Sequence, residues 1–187
     1  MYSLLIDTHS NILNIILYKN RAFYASISRE TPLQSKLLVP LIQNILKEQK
    51  IKINAITEVI VVNGPGSFTG VRLGVTVAKT ISYCLNIPIK SISSLDLLAL
   101  SVEKNSNYSV AIKDPKGYYI GEYSKGQKLQ KDYFYLSAKE FLTYEIINEV
   151  IKDSQINWNN VYDGNFLKEE NQFTIKPLYI KKIEVEK

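Results

Sequence analysis

The sequence has 187 residues, 45% of them hydrophobic and 22% charged, which are ordinary globular values that exclude a disordered, collagen-like or coiled-coil chain. A fold of this length removes roughly 70% of its unfolded surface from water, so neither a disulfide nor a metal is needed to hold it. Lys+Arg outnumber Asp+Glu by 23 to 18, and the surplus of +5 lies within residues 1–104 while residues 105–187 are balanced, so an acidic partner is expected to meet the first half.

Every apolar stretch is interrupted before the roughly 20 residues needed to span a bilayer, and the start, Met1 to Asp7, lacks the cationic flank of a secretory signal, so a cytoplasmic protein with no membrane association is expected. The single cysteine, Cys84, fits a reducing compartment. With one histidine, His9, a metal site of two or more His or Cys ligands is excluded, and no metal is expected.

Residues 2–7, 12–19 and 22–29 read as three strands of an antiparallel meander, separated by short polar breaks. Thr31-Pro32 opens a helix over 33–49, with Leu33, Leu37, Leu41 and Ile45 on one stripe and Leu38, Ile42 and Leu46 beside it. Pro40 inside it predicts a kink. Glu58–Asn63 is a short apolar run, the pattern of a strand covered on both faces. The turn Gly64–Gly70 leads into a helix over 70–86, followed by a strand at Ile89–Ile92 and a helix over Ser94–Lys104 capped by Ser93 or Ser94.

In the second half, Tyr108–Lys113, Tyr118–Ser124 and Asp132–Leu136 read as strands, and Ser137–Asp153 as a helix with Ser137 as N-cap and Glu140 completing a capping box. The order βββα recurs, which predicts two lobes of related topology: residues 1–104 with a mixed five-stranded sheet and flanking helices, and residues 105–187 as a smaller, truncated lobe. This α/β layout is that of ribonuclease-H-like and actin-like domains.

Gly64, Gly66, Ser67, Thr69 and Gly70 form a glycine-rich loop after a buried strand, with amides and hydroxyls at a helix N-terminus that could hold an anion or nucleotide, or simply make a tight turn. It is neither a Walker A loop nor a dinucleotide fingerprint, because no Lys-Ser/Thr follows and G-x-G-x-x-G is not matched. In the next helix Gly70, Gly74, Ala78 and Ser82 fall every fourth residue and make a stripe without bulk, open to close approach by the 33–49 helix or by another subunit. Asp7-Thr8-His9-Ser10 lies where an actin-like ATPase has a carboxylate and a phosphate loop, but the glycine is missing and His9 reads as a surface or turn histidine. Asp114-Pro115-Lys116-Gly117 reads as a hairpin turn. Lys113, Lys116, Lys125, Lys128 and Lys131 alternate with Tyr118, Tyr119, Tyr123 and Tyr133, either an RNA-stacking surface or the solvated face of ordinary strands. No Ser/His/Asp or Cys/His arrangement is evident, so no catalytic residue is assigned.

IDT at 6–8, QSKLLVPLI at 34–42, GPGSFTGVRLGVTVAKTIS at 64–82, ISSLDLLA at 92–99 and PLYIKK at 177–182 together resemble the TsaB (YeaZ) family. The resemblance implies an actin-like (ASKHA) fold and a non-enzymatic role in forming threonylcarbamoyladenosine at position 37 of tRNAs. It implies a scaffold that binds and stabilises a TsaD-like transferase, meets a TsaE-like ATPase and tRNA through that complex, and pairs with itself when isolated. It places the partner surface on Leu37, Leu38, Leu41, Ile42 and Ile45 of one helix and Gly70, Arg72, Gly74, Val75, Val77, Ala78 and Ser82 of the next. No cofactor is implied for this chain beyond a nucleotide at the partner interface. Gln34-Ser35 stands where relatives have His-Ser, Asp114–Tyr119 departs from their Asp-Ala-Arg-Arg-Gly-Glu-Val-Tyr, and the second lobe is shortened. The competing readings are a nucleotide-binding or ATP-hydrolysing actin-like protein, a peptidase, and a stand-alone RNA-binding module.

Overall fold

In the computed structural model, which describes residues 1–130, 132–152 and 155–181, the meander forms as β1 (Tyr2–Asp7), β2 (Ile12–Lys19) and β3 (Ala22–Glu30). β4 (Ile56–Val62) joins β1 in parallel and β5 (Ile89–Ile92) joins β4 in parallel, so the five expected strands make a mixed sheet. A sixth strand extends it. β11 (Lys168–Glu170) pairs antiparallel with β5, giving the order β11-β5-β4-β1-β2-β3. Its sequence, Lys-Glu-Glu, has no apolar alternation to announce a strand; at the sheet edge its charges are met instead, by Lys90, 3.1 Å from Glu169, and by Ser91, whose hydroxyl donates to Glu170 at 2.6 Å.

The central strands are buried on both sides. Leu4, Ile6, Leu13, Ile15, Leu17, Val59 and Val61 pack under α1 (Gln34–Glu48) and α2 (Phe68–Leu85). Leu5, Ile16, Tyr18, Ile60 and Val62 pack on the other face against Leu97 of α3 (Ser94–Ala99) and Val161 of a 3-10 turn at Trp158–Tyr162. The register alternation of a pleated strand makes this division. α1 continues through Pro40, which lies on its exposed side, and the expected kink does not divide the helix.

The second sheet contains β6 (Asn107–Asp114), β7 (Gly117–Ser124), β8 (Gln127–Lys128), β9 (Phe134–Ser137) and β10 (Val150–Ile151), ordered β10-β6-β7-β8 with β9 also on β7. α4 (Ala138–Ile147) begins with the capping box read from Ser137 and Glu140. It stops six residues before Asp153, which lies outside the described residues, because Val150 and Ile151 are taken into β10 opposite Ser109 and Val110. α3 also ends early, at Ala99.

α3 links the two sheets. All six of its residues are buried, with Leu97 on the first sheet and Leu95, Leu98 and Ala99 on Tyr108, Val110 and Tyr123 of the second. Asp96 is 2% exposed there and accepts hydrogen bonds from Tyr123 at 2.8 Å and Tyr133 at 2.5 Å. Burial and this carboxylate push both phenols far above their usual range. Tyr118 stacks on Phe141 at 3.8 Å, and Tyr119 meets Tyr135 edge-on. The tyrosines of the alternating Lys/Tyr pattern are thus committed to packing rather than to an open stacking surface; Lys131 lies outside the described residues.

Candidate functional site

α2 lies unusually close to β1 because its inward stripe has almost no side chain. A Cβ added at Gly70 would fall 2.1 Å from the Thr8 carbonyl oxygen, and one at Gly74 2.3 Å from Thr8 Oγ1. Thr8 Oγ1 donates to the Gly70 carbonyl at 2.7 Å, fastening strand end to helix start. At Gly70 and Gly74 the small stripe is therefore filled by Thr8, just past the chain's own first strand, with Gln34 Oε1 of α1 3.1 Å from the Gly70 position; Ser82 donates to the Ile87 carbonyl at 2.6 Å.

This placement divides the set of residues that the sequence assigns to a partner surface. Leu38, Leu41, Ile42 and Ile45 of α1 and Gly70, Gly74, Val75, Ala78 and Ser82 of α2 are buried within this chain. Leu37 and Val77 are half-buried at the edge of the same core, and Arg72 is exposed. The inner residues build the helix pair; only its outer face is open to a partner. That face carries Leu33, Val39, Phe68 and Tyr83, each about half exposed, together with Thr76 and Thr80.

The segment 171–180 runs along α2 and was not legible as part of this face. Lys79 donates to the Phe173 carbonyl at 2.8 Å, Phe173 meets Tyr83 edge-on, and Ile175 is buried in the core under the helices. At the other end Arg72 donates to the Tyr179 hydroxyl at 3.0 Å and lies 3.6 Å over the Phe68 ring. Tyr179 belongs to the PLYIKK motif, whose Lys182 lies outside the described residues.

The glycine loop has its polar groups turned inward. Gly64 and Gly66 have φ of 99° and 156°, and a Cβ at Gly66 would sit 2.2 Å from the His9 carbonyl oxygen. The Ser67 amide donates to that same carbonyl at 2.7 Å, and the Ser67 hydroxyl caps α2 by accepting from the Gly70 amide at 3.2 Å. Ser94 donates from its amide to Gly64 and from its hydroxyl to Pro65. The loop thus ties β1, α2 and α3 together, with Ser67 and Thr69 exposed at its rim.

A groove of about 2280 Å³ opens beside this loop, with Asp7, His9, Asn14 and Ser67 on one side and Lys113, Asp114, Lys116 and residues 177–181 on the other. Of the reading of His9 as a surface or turn histidine, the turn holds, since His9 lies in the bend after β1, and the surface is corrected: its side chain is 12% exposed and its Nδ1 lies 2.6 Å from Asp7 Oδ1. Asp7 is fully buried. Oδ1 also accepts from the His9 amide at 3.1 Å, and Oδ2 accepts from Asn14 at 3.0 Å, whose own carbonyl accepts from Ser28 at 2.7 Å. Burial pushes the carboxyl up, but the His9 charge and these donors outweigh it and hold Asp7 below its ordinary value. Burial lowers His9, and the Asp7 charge outweighs that too, so the imidazole is raised above its ordinary value. The signal in the sequence was the i, i+2 spacing of Asp7 and His9 across a strand end. Among the described residues no group of three or more His, Cys, Asp or Glu side chains is placed to hold a metal, and no helix is long and apolar enough to cross a membrane.

Residues 33–116 match the profile of a family described as TsaD, tRNA N6-adenosine threonylcarbamoyltransferase. The tRNA threonylcarbamoyladenosine biosynthesis protein TsaB of Bacillus subtilis is 37% identical over 100 residues, which covers 53% of this chain and 44% of that protein, so the aligned part spans less than half of that relative. TsaB of Buchnera aphidicola subsp. Schizaphis graminum is 29% identical over 174 residues, covering 90% of this chain and 81% of that one. Among solved structures, YeaZ from Pseudomonas aeruginosa superposes with a TM-score of 0.65 at 24% identity, over 73% of this chain and 69% of that one, and shares the fold. With the glycine loop, the paired helices and the mixed sheet in this order, the fold is actin-like, and the chain is similar to TsaB (YeaZ) proteins in sequence and in fold.

Proposed function

We propose that this chain is a non-catalytic subunit of the machinery that makes threonylcarbamoyladenosine in tRNA, and that it binds and stabilises a TsaD-like transferase through the outer face of α1 and α2. The observation that carries this reading is the helix pair itself: its inner residues are consumed by the core, yet Leu33, Val39, Phe68 and Tyr83 remain about half exposed on one layer of the fold. Exposed large apolar and aromatic groups rimmed by Lys36, Arg72 and Thr76 suit a partner of the same kind, a second helix pair that would complete a four-helix bundle. The same face serves self-pairing when the partner is missing. A TsaE-like ATPase and the tRNA meet the assembly through the transferase, which supplies the catalytic metal.

The test is binding of the purified chain to a TsaD-like subunit by calorimetry, followed by threonylcarbamoyl transfer to tRNA. Val39→Asp and Thr80→Glu each put a charge on the outer face without entering the core, and a charge buried unpaired at an interface costs several kcal/mol, so binding should weaken at least a hundredfold with an unchanged thermal midpoint. Retained affinity in both variants would remove the docking site from this face. Transfer activity in the isolated chain would end the non-catalytic reading.

A further inference from the structure

After Ile175 the chain changes lobes within a few residues. Ile175 is buried under α1 and α2, and the Leu178 amide donates to the Asn63 carbonyl at 2.8 Å, so to this point the segment belongs to the first lobe. Tyr179 stays there, its hydroxyl accepting from Arg72 Nε at 3.0 Å. Ile180 then packs against the cluster that Leu95, Tyr108 and Val110 build between α3 and the second sheet. Lys181 follows, 4.6 Å over the Tyr135 ring and 3.9 Å from Asp114 Oδ1. Asp114 is itself fixed, because the same oxygen accepts from the Tyr135 hydroxyl at 3.0 Å and from the Lys116 amide at 3.1 Å. Three residue steps separate Leu178 from Lys181, which is at most about 10 Å of chain. So short a link has little slack, and one end cannot move far while the other stays fastened.

We propose that residues 177–181 are a strap that holds the second lobe to the first and is fastened at the outer face of α2, so that a change at Arg72 and Tyr179 is felt at Lys181 and Asp114. The strap lines the groove between the sheets, where its polar fastenings add to the apolar packing of α3. Its first-lobe anchor is open to other molecules. Arg72 lies 3.6 Å over the Phe68 ring, and Phe68 and Tyr179 are each about half exposed. A strap with a fastened and a released state is the kind of two-state element that two separate surfaces can both bias.

The consequence for assembly rests on the docking face proposed above. A partner seated on Phe68, Arg72 and Tyr179 shields the Arg72–Tyr179 bond from water and meets its full surface only when Tyr179 is in place. It therefore binds the fastened strap better than the released one, and docking on α2 holds the second lobe in position.

The strap is tested first in the free protein. Exchange of the Leu178 amide reads its opening by NMR, since that hydrogen bond breaks when the strap leaves Asn63. Tyr179→Phe removes one hydroxyl at the α2 end and Lys181→Met one charge at the other, and neither side chain is in the core. Each should speed Leu178 exchange at least twofold. Cys84 is the single cysteine and is exposed on α2, so with Leu142→Cys on α4, 64% exposed, it gives a pair of spin labels spanning the lobes. Both strap variants should broaden the distance distribution of that pair. Unchanged exchange in either variant, or faster exchange with an unchanged distribution, overturns the proposal. A TsaD-like subunit is then added to the unlabelled wild-type protein. Slower Leu178 exchange supports the link to docking, and binding in calorimetry with unaltered exchange overturns that link. Absence of binding defeats the docking reading instead, and the free-protein measurements still decide the strap.

Discussion

Replacing Gly74 by alanine tests the contact on which the helix pair depends. On propensity alone the change favours α2, by about 1 kcal/mol for glycine to alanine in a helix interior. The structure predicts the opposite sign. The new Cβ would lie 2.3 Å from Thr8 Oγ1, and that oxygen is held in place by its 2.7 Å bond to the Gly70 carbonyl on a fully buried, β-branched side chain. Overpacking costs about 1–3 kcal/mol and the broken hydrogen bond about 1 kcal/mol, so the net effect is a destabilisation of about 1–3 kcal/mol. For a chain of this size that lowers the thermal midpoint by about 3–10 °C. The next atoms are more distant, with Thr8 Cβ at 3.6 Å and Ile6 Cγ2 at 3.7 Å, which are ordinary contacts. In a Thr8→Ala background the clash is gone, and Gly74→Ala should become neutral or stabilising by up to about 1 kcal/mol. The four proteins form a double-mutant cycle read by calorimetry or denaturant unfolding, with a coupling of about 1–4 kcal/mol. The same penalty in both backgrounds, or a stabilised single variant, would refute the close approach of α2 to β1. Loss of partner binding at unchanged stability would place the small stripe at the interface after all.

Two further outcomes follow from buried polar groups. Asp96→Ala orphans the Tyr123 hydroxyl between the sheets, leaves Tyr133 only the Ser93 hydroxyl at 2.7 Å and should cost about 2–4 kcal/mol, whereas Tyr133→Phe leaves Asp96 the Tyr123 bond and should cost about 1 kcal/mol, both read from denaturant midpoints; equal costs would deny the shared carboxylate. The Asp7–His9 pair should make stability depend on pH from both sides. Because His9 is raised, its contribution is complete below about pH 6.5 and is lost as the pH climbs through the folded value; because Asp7 is lowered, its contribution is present above about pH 3.8 and is lost as the pH falls through the folded value. Asp7→Asn should flatten both slopes of the thermal midpoint between pH 3 and 9 and bring the His9 midpoint down, and unchanged slopes would show that the pair does not stabilise the fold.

What the sequence determined by itself were the features written in local pattern. Continuous apolar runs announced β1, β2 and β4, Ser93 and Ser137 announced the starts of α3 and α4, and the every-fourth spacing of Gly70, Gly74, Ala78 and Ser82 announced a helix that something approaches closely. The resemblance to TsaB proteins was legible in the string from Gly64 to Ser82, because a turn that lets Gly66 touch His9 and a helix that lets Gly74 touch Thr8 permit few other residues. Local pattern carries no information about which distant surface meets a given face, and there the tertiary structure decided. It packed Gly70 and Gly74 of the small stripe against Thr8 inside the chain and left Val39, Phe68 and Tyr83 of α1 and α2 about half exposed. It brought Lys168–Glu170, which has no strand pattern, to the edge of β5, and it ended α4 early because β6 offered Val150 and Ile151 hydrogen-bonding partners that a helix could not. It also set His9, in the bend after β1, against the carboxylate of Asp7, which has no route to water and takes its partner from two residues along the chain.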